Sequence, residues 1–195
     1  VKSGAYPNHT YVKEGVKSLP HYLKPLGYRV ALSGKTHINP QKQFPFEYSD
    51  RPSPDGGNPR GDPDFDAIDQ LCKEDETPFC LIIASKEPHG PLNRGDPSVY
   101  PPESLKLRPF HVDTPEFRTE FSKYLAEITV FDEQVGETLD LLDRYDLAEN
   151  TLFVAGGPAT RMVLKAAVSF AGPAGQSLER KPKQRSSTSI SCLLF

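Results

Sequence analysis

The residues best suited to chemistry are a lysine and a histidine two positions apart, Lys35 and His37, directly after a segment that alternates apolar and polar side chains. In extended backbone, residues i and i+2 point to the same side, so the ammonium and the imidazole can face one spot. The preceding Gly34 lets the backbone approach a ligand closely. A fixed positive charge beside a group that donates hydrogen bonds and moves protons near neutral pH suits an anion. The alternative is a solvated turn, because most lysines are exposed.

A second histidine, His89, lies in a loop that follows the apolar run PFCLIIAS at 78–85. Pro88 and Pro91 stiffen this loop and can hold the imidazole in one direction, although loop histidines are often simply exposed. The Gly-Lys dipeptide of the first segment invites comparison with a phosphate-binding P-loop. That motif needs a glycine where Arg29 stands, so a P-loop is excluded.

Helices and strands alternate along the chain around these residues. Capping signals and apolar residues three or four positions apart predict helices, and short apolar runs predict strands. The predicted helices are 18–26, 62–72 and 114–144, and the predicted strands are 28–33, 78–85 and 151–155. This order predicts an α/β fold with a doubly wound, mostly parallel sheet and helices on both faces. Ligands bind such sheets beyond the carboxyl ends of the strands, where Lys35, His37 and His89 fall.

Short polar residues mark the helix starts, and Pro/Gly-rich stretches mark the loops. Ser18, Asp62 and Thr114 are the predicted caps. Residues 40–61 and 87–109 are predicted loops. The third helix is predicted to bury the apolar residues that recur along it. Those residues are Phe117, Phe121, Tyr124, Ile128, Phe131, Val135, Leu139 and Leu142.

Length and charge limit the classes of function. The 195 residues suffice for one domain with a sizeable core, and the 20 prolines imply many loops and turns. The net charge of −3 hides a basic end, because residues 156–195 hold six lysines and arginines but one acid. This end lacks interleaved aromatic residues, so no nucleic-acid partner is predicted. No apolar run reaches the length of about 20 residues that crosses a bilayer, so no membrane span is predicted.

The order of the segments resembles the formylglycine-dependent sulfatases of the alkaline-phosphatase-like superfamily over residues 3–154. The stretches that carry the resemblance are SGAYP, SLPHYLKPLGYRVALSGKTHINP, PFCLIIASKEPHGP and YLAEITVFDEQVGETLDLLDRYDLAENTLFV. The Gly-Lys-x-His-x-x-Pro variant at 34–40 is most similar to the heparan N-sulfatase branch and its bacterial arylsulfatase-like relatives. The resemblance implies a partial alkaline-phosphatase-like sheet and the hydrolysis of sulfate esters or sulfamates. It further implies a sulfated small molecule or glycan as partner and an exported, periplasmic or lysosomal location.

The resemblance also implies a role for each candidate residue. Lys35 matches the family lysine that neutralises the sulfate and formylglycine oxygens, and His37 matches the histidine that handles the formylglycine hydroxyl. His89 matches the histidine that binds sulfate near the leaving oxygen. In the family, a cysteine in Cys-x-Pro/Ala-x-Arg is oxidised to formylglycine, whose hydrated form attacks sulfur. A calcium ion held mainly by acidic side chains polarises the sulfate.

Parts of the family pattern are missing from this sequence. None of the three cysteines, Cys72, Cys80 and Cys192, lies in the nucleophile motif, and no amino-terminal Asp-Asp pair is present. Ala-Gly-Gly-Pro at 155–158 stands where the family has Ser/Gly-Asp-His/Asn-Gly. We therefore expect an inactive fragment without the formylglycine or the calcium ligands.

The charge and the pattern both change at one point of the chain. We predict an incomplete sulfatase catalytic domain over residues 1–155, followed by a basic segment over 156–195. Its Gly/Pro/Ser/Lys-rich composition is typical of disorder. A shift of the reading frame near Val154 would explain the loss of the family motif, the loss of acidic residues and the jump in charge at one point.

Two other functions stay open. A phosphatase, phosphodiesterase or phosphonate hydrolase of the same superfamily would share the fold and the anion site, and the nucleophile residue would discriminate between them. A degenerate module that holds sulfated glycan without catalysis is the non-enzymatic alternative.

Overall fold

A computed structural model describes residues 3–5, 10–36, 38–49, 61–73, 77–156 and, for the backbone, 191–194. The helices within these residues are α1 (Leu19–Leu23), α2 (Phe65–Lys73) and α3 (Pro115–Arg144). The strands are β1 (Arg29–Gly34), β2 (Glu47–Ser49), β3 (Phe79–Ala84), β4 (Thr151–Val154) and β5 (Ser191–Leu194). No helix in this part of the chain combines the length and the apolar character that crossing a bilayer requires.

The five strands form one sheet in the order β2-β1-β3-β5-β4, and every neighbouring pair is parallel. The predicted α/β fold with a mostly parallel sheet is confirmed. β1 and β3 pair over their whole length, from Arg29 opposite Phe79 to Gly34 opposite Ala84. This register brings the carboxyl ends of β1 and β3 level, so the segments that follow them leave the sheet side by side.

Two strands were not predicted from the sequence. β2 is three residues long and lies inside the predicted loop 40–61, too short for an alternating pattern to stand out. β5 lies in the basic segment 156–195, the rest of which, apart from Gly156, is outside the described residues. The division of the chain at residue 156 stays a prediction.

The hydrophobic core lies between one face of β1 and β3 and the helices α2 and α3. Alternation along the strands sends Ala31, Leu81 and Ile83 to this face, while Val30 and Leu32 are buried on the other. The helices and the turn after α3 contribute Ile68, Leu71, Cys72, Leu141, Leu142 and Leu147. Each fully buried large apolar side chain stabilises the fold by about 1.5–3 kcal/mol, which fixes both helices on the sheet.

The predicted cap of α2 is wrong by two residues. The Asp64 carboxylate, not that of Asp62, accepts the backbone N–H of Ala67 at 3.2 Å, and the helix begins at Phe65. The N–H of Asp64 donates to the Ser33 hydroxyl at 2.8 Å, which ties this segment to β1 before the helix starts. The cap of α3 is confirmed, because the Thr114 hydroxyl accepts the N–H of Phe117.

The buried face of α3 also differs from the predicted apolar stripe. Seven of its residues are buried: Ser122, Ala126, Glu127, Gln134, Thr138, Leu141 and Leu142. Only Leu142 belongs to the predicted stripe, whereas Ile128 and Leu139 are exposed. The reason is that buried polar side chains in the first half of α3 bond to loop backbone groups, which apolar side chains cannot do. The Ser122 hydroxyl, for example, donates to the Pro97 carbonyl at 2.9 Å.

Candidate functional site

The ends of β1 and β3 touch at the point where the candidate residues begin. The backbone N–H of Lys35 donates to the Ala84 carbonyl at 2.8 Å, which extends the strand pairing beyond Gly34. Gly34 has φ +92°, and a Cβ atom there would lie 2.3 Å from the same carbonyl oxygen. Only glycine allows this approach, so Gly34 is what brings Lys35 against the end of β3.

Lys35 supplies a positive charge at this edge of the sheet. Its side chain is half-buried, and its ammonium group makes no ion pair or hydrogen bond with a described residue. The residues on either side of it, Gly34 and Thr36, line a cavity of about 130 Å³ together with Tyr48 and Ser49. Lys35 itself does not line this cavity, because neighbouring residues of an extended segment point to opposite sides, so an anion held by its ammonium would lie outside the cavity.

Of the two candidate histidines, the structure describes only His89. His37 lies outside the described residues. His89 is exposed, and its ring Nδ1 lies 2.8 Å from the Gly90 carbonyl oxygen. Because a carbonyl oxygen can only accept, Nδ1 carries a proton and donates it, which holds the ring against its own loop and turns Nε2 away from that bond. The structure thus brings together the strand ends that carry Lys35 and His89, but no contact between these two side chains is seen among the described residues.

Sequence reasoning missed a cluster of charged groups that includes two residues of the His89 loop, Glu87 and Arg94. Arg94 Nη1 lies 2.8 Å from Asp62 Oδ1 and 2.5 Å from Glu87 Oε1. The backbone N–H of Arg94 donates to Glu127 Oε1 at 2.7 Å. Glu127 is fully buried and Glu87 is 6% exposed. The sequence did show a glutamate, Glu87, directly before Pro88 and His89. Most glutamates are exposed, so its position alone does not predict a buried carboxyl group.

This environment changes the acidity of Glu87. Burial is the main cause that raises the pKa of Glu87 to about 7; hydrogen bonding and like charge from Glu127 add to it, and Arg94 acts in the opposite direction. Burial alone would lower the pKa of Arg94, but Asp62 and Glu87 outweigh it and raise that pKa. A carboxyl group that titrates near neutral pH therefore lies two residues before His89.

The described cysteine side chains belong to the core. Cys72 and Cys80 are buried free thiols. Burial, with a smaller effect of the Asp69 charge, raises the pKa of Cys72 to about 11. Cys72 is therefore a neutral thiol near pH 7, the form that does not act as a nucleophile.

Comparison with known proteins identifies the family. The family model described as Sulfatase matches residues 2–157. The chain belongs to the sulfatase family. The predicted family and the partial alkaline-phosphatase-like α/β fold are therefore both confirmed.

Two curated relatives of this sulfatase-family chain are ulvan-active sulfatases from Formosa agariphila. The chain is 34% identical to one over 158 residues, which is 79% of this chain and 31% of the relative. It is 26% identical to the other over 191 residues, again 79% of this chain but 37% of the relative. The chain spans about a third of the length of these relatives.

Sulfatase family membership implies calcium and formylglycine in the full-length enzyme. Within the described ranges, no three histidine, cysteine, aspartate or glutamate side chains converge as metal ligands. Asp62 and Glu87, two acids near this edge, face the Arg94 guanidinium, a cation that would repel a second one. The described residues of this sulfatase-family chain therefore do not fit calcium.

Proposed function

We propose that this chain forms part of the sulfate-binding side of a sulfatase active site, with Lys35, His37 and His89 as its ligand-binding residues. One observation carries the proposal: the Lys35 N–H donates to the Ala84 carbonyl at 2.8 Å, in a chain whose family acts on sulfate. That contact joins the segment of Lys35 and His37 to the start of the His89 loop.

Each side chain has a distinct chemical part. The Lys35 ammonium neutralises sulfate oxygens, and charge-assisted hydrogen bonds of this kind are about twice as strong as neutral ones. The His89 ring, held by the Gly90 carbonyl through Nδ1, can donate from Nε2 to the leaving oxygen when the ring is protonated. The role of His37 at the formylglycine hydroxyl rests on the family resemblance.

The reaction of the full-length enzyme is the hydrolysis of sulfate esters or sulfamates, and we propose a sulfated polysaccharide as the substrate class. The names of the two relatives, both ulvan-active sulfatases, support this class. They and the family match favour a sulfatase over a phosphatase of the same superfamily. Family membership also supports an exported or lysosomal location.

We further propose that these 195 residues by themselves bind sulfate but do not hydrolyse its esters. No cysteine of the chain lies in Cys-x-Pro/Ala-x-Arg, so no formylglycine can form from that motif. Covalent catalysis in the family depends on that nucleophile. We also propose that residues 156–195 form a basic tail after the catalytic domain. The coding DNA tests the frame shift: if neither of the other two frames encodes Asp-His/Asn-Gly after Val154, the frame-shift explanation is wrong.

Calorimetric titration with inorganic sulfate and with a sulfated polysaccharide tests the binding site. We expect Lys35→Ala and His89→Ala to weaken sulfate binding by about tenfold or more, the loss typical of a charged hydrogen bond. Lys106→Ala removes an exposed lysine away from the strand ends and is the matched control. Equal affinity of the wild type and Lys35→Ala would refute the site, and turnover of an aryl sulfate would refute the inactivity.

A further inference from the structure

The loop that carries His89 is fixed to the first half of α3. Gly95 has φ +71°, and a Cβ atom there would lie 2.4 Å from the Ala126 carbonyl oxygen. On either side of this contact, the Arg94 N–H donates to Glu127, and the Pro97 carbonyl accepts the Ser122 hydroxyl. The loop backbone therefore lies directly on the helix, with Glu127 at the centre of the contact.

The two glutamates at this contact each leave one oxygen without a donor. Arg94 donates to Oε1 of both Glu87 and Glu127, through its guanidinium and its backbone N–H. The Oε2 atoms of both residues are buried and have no hydrogen-bond partner among the described residues. Hydrogen bonding and like charge from Glu127 both raise the pKa of Glu87, which agrees with two neighbouring carboxyl groups that contact the same residue, Arg94. A single proton between the two oxygens would satisfy both at once, whereas two bare carboxylates would repel each other.

The charges around the pair favour such a proton. The Arg94 guanidinium pairs with the carboxyl groups of Asp62 and Glu87, whereas the Glu127 carboxyl accepts the Arg94 backbone N–H and makes no ion pair with that guanidinium among the described residues. Lys86, which precedes Glu87, is 3% exposed and has a partner; counted as a second cation, it still leaves three carboxyl groups for two positive charges. Unbalanced negative charge is costly away from water, and one proton removes one unit of it.

We propose that Glu87 and Glu127 share one proton between their Oε2 atoms and that this shared proton positions the His89 loop on α3. The O–H of one carboxyl group donates to the other carboxylate, and no other bond changes. When the proton leaves to solvent, two facing carboxylates push the loop away from the helix. The raised pKa of Glu87, about 7, agrees with this geometry. The effect on sulfate rests on the proposed function of His89.

Three single variants of the full 195-residue chain separate the pair from its surroundings. Glu127→Gln keeps an oxygen for the Arg94 N–H and places an amide N–H where the shared proton would lie, at every pH. Glu87→Gln does the same from the loop side and serves if the first variant does not fold. Glu133→Gln changes an exposed glutamate on the same helix and is the control.

Hydrogen–deuterium exchange of the Arg94 amide, corrected for the intrinsic rate, is measured at about pH 5 and about pH 8, with inorganic sulfate titrated at both values. We expect the Arg94 amide of the wild type and of Glu133→Gln to be about tenfold less protected at the higher pH. The reason is that the pKa of Glu87, about 7, lies about one unit below that pH. Glu127→Gln should keep the protection of the Arg94 amide at both pH values. Its sulfate affinity should depend less on pH than that of the wild type.

Equal pH dependence of protection in the wild type and both Gln variants would overturn the shared proton. If protection behaves as expected but no protein binds sulfate, the proposed function fails and the proton-sharing pair stands. If sulfate binds with the same pH dependence in all proteins while protection differs, the pair does not position His89, and the positioning role is refuted.

Discussion

The backbone N–H of Arg94 donates to the Glu127 carboxylate at 2.7 Å, across 33 residues of sequence. Glu127 is fully buried, so the carboxylate that accepts this hydrogen bond is shielded from water. The bond joins a loop that follows β3 to the middle of α3, two parts of the chain that the sheet itself does not connect.

Glu127→Ala should destabilise the fold by about 1–3 kcal/mol, because it removes the buried carboxylate that accepts the Arg94 N–H, and a hydrogen bond to a charged group contributes about this much. Chemical denaturation monitored by circular dichroism measures this change. Glu133→Ala, at an exposed position of the same helix, should have an effect close to zero. A loss of similar size in both variants would mean that helix propensity, rather than the loop contact, accounts for it.

Gly34→Ala should destabilise the chain strongly and abolish the proposed sulfate binding, because φ is +92° and the new Cβ would lie 2.3 Å from the Ala84 carbonyl oxygen. Gly136→Ala is the matched control, since a Cβ there meets nothing within 4 Å. In α3 the control should stabilise by up to about 1 kcal/mol, the helix preference of alanine over glycine. Thermal unfolding of the two variants compares them, and a stable Gly34→Ala protein would contradict the close approach.

The stability contributed by Glu87 should fall as pH rises. Its pKa is raised from 4.5 to about 7, so between these values the folded chain holds a proton that the unfolded chain has lost. This stability is fully present below about pH 4.5 and is lost on the way to about pH 7, at up to about 1.4 kcal/mol per pH unit.

Glu87→Gln removes the proton and should show a flatter profile of unfolding free energy over the same pH range. The difference between the two profiles isolates the effect of Glu87. Other carboxyl groups act in the opposite direction, such as Asp113, whose pKa the hydrogen bond from Arg118 holds below its usual range. Parallel profiles in the wild type and the variant would show that Glu87 does not titrate in this window.

The cap of α2 gives a test of two neighbouring aspartates. Asp64→Ala should cost about 1 kcal/mol through the lost hydrogen bond to the Ala67 N–H, and Asp64→Asn should restore most of it. Asp62→Asn should instead weaken the ion pair with Arg94 and leave the helix start unchanged. Urea denaturation and amide exchange at Ala67 distinguish them; loss of protection at Ala67 in Asp62→Asn would restore Asp62 as the cap.

The sequence carried the features that depend on local pattern. The apolar run of β3, the alternation of β1 and the Thr114 cap of α3 all follow from residue order, and the strand ends place Lys35 as expected. The roles of Lys35, His37 and His89 stay predictions.

Features that depend on distant partners could not be predicted. Asp62 and Asp64 both fit a capping pattern. Distant partners separate them: the Ser33 hydroxyl accepts the N–H of Asp64, and Arg94 pairs with Asp62. The buried face of α3 was misjudged because its partner is loop backbone, which favours Ser122 and Glu127 over the apolar stripe. Burial of a glutamate depends on such a partner and not on its neighbours in sequence.

α3 has one end in the loop contact and the other in the core. Its 30 residues span about 45 Å, with Glu127 near the loop and Leu141 and Leu142 packed on the sheet. A rigid element shared in this way makes the loop and the core one cooperative unit. An anion that tightens the loop would therefore raise the melting temperature of the whole sheet, so a simple thermal-shift screen of anions can reveal the ligand without any assay of turnover.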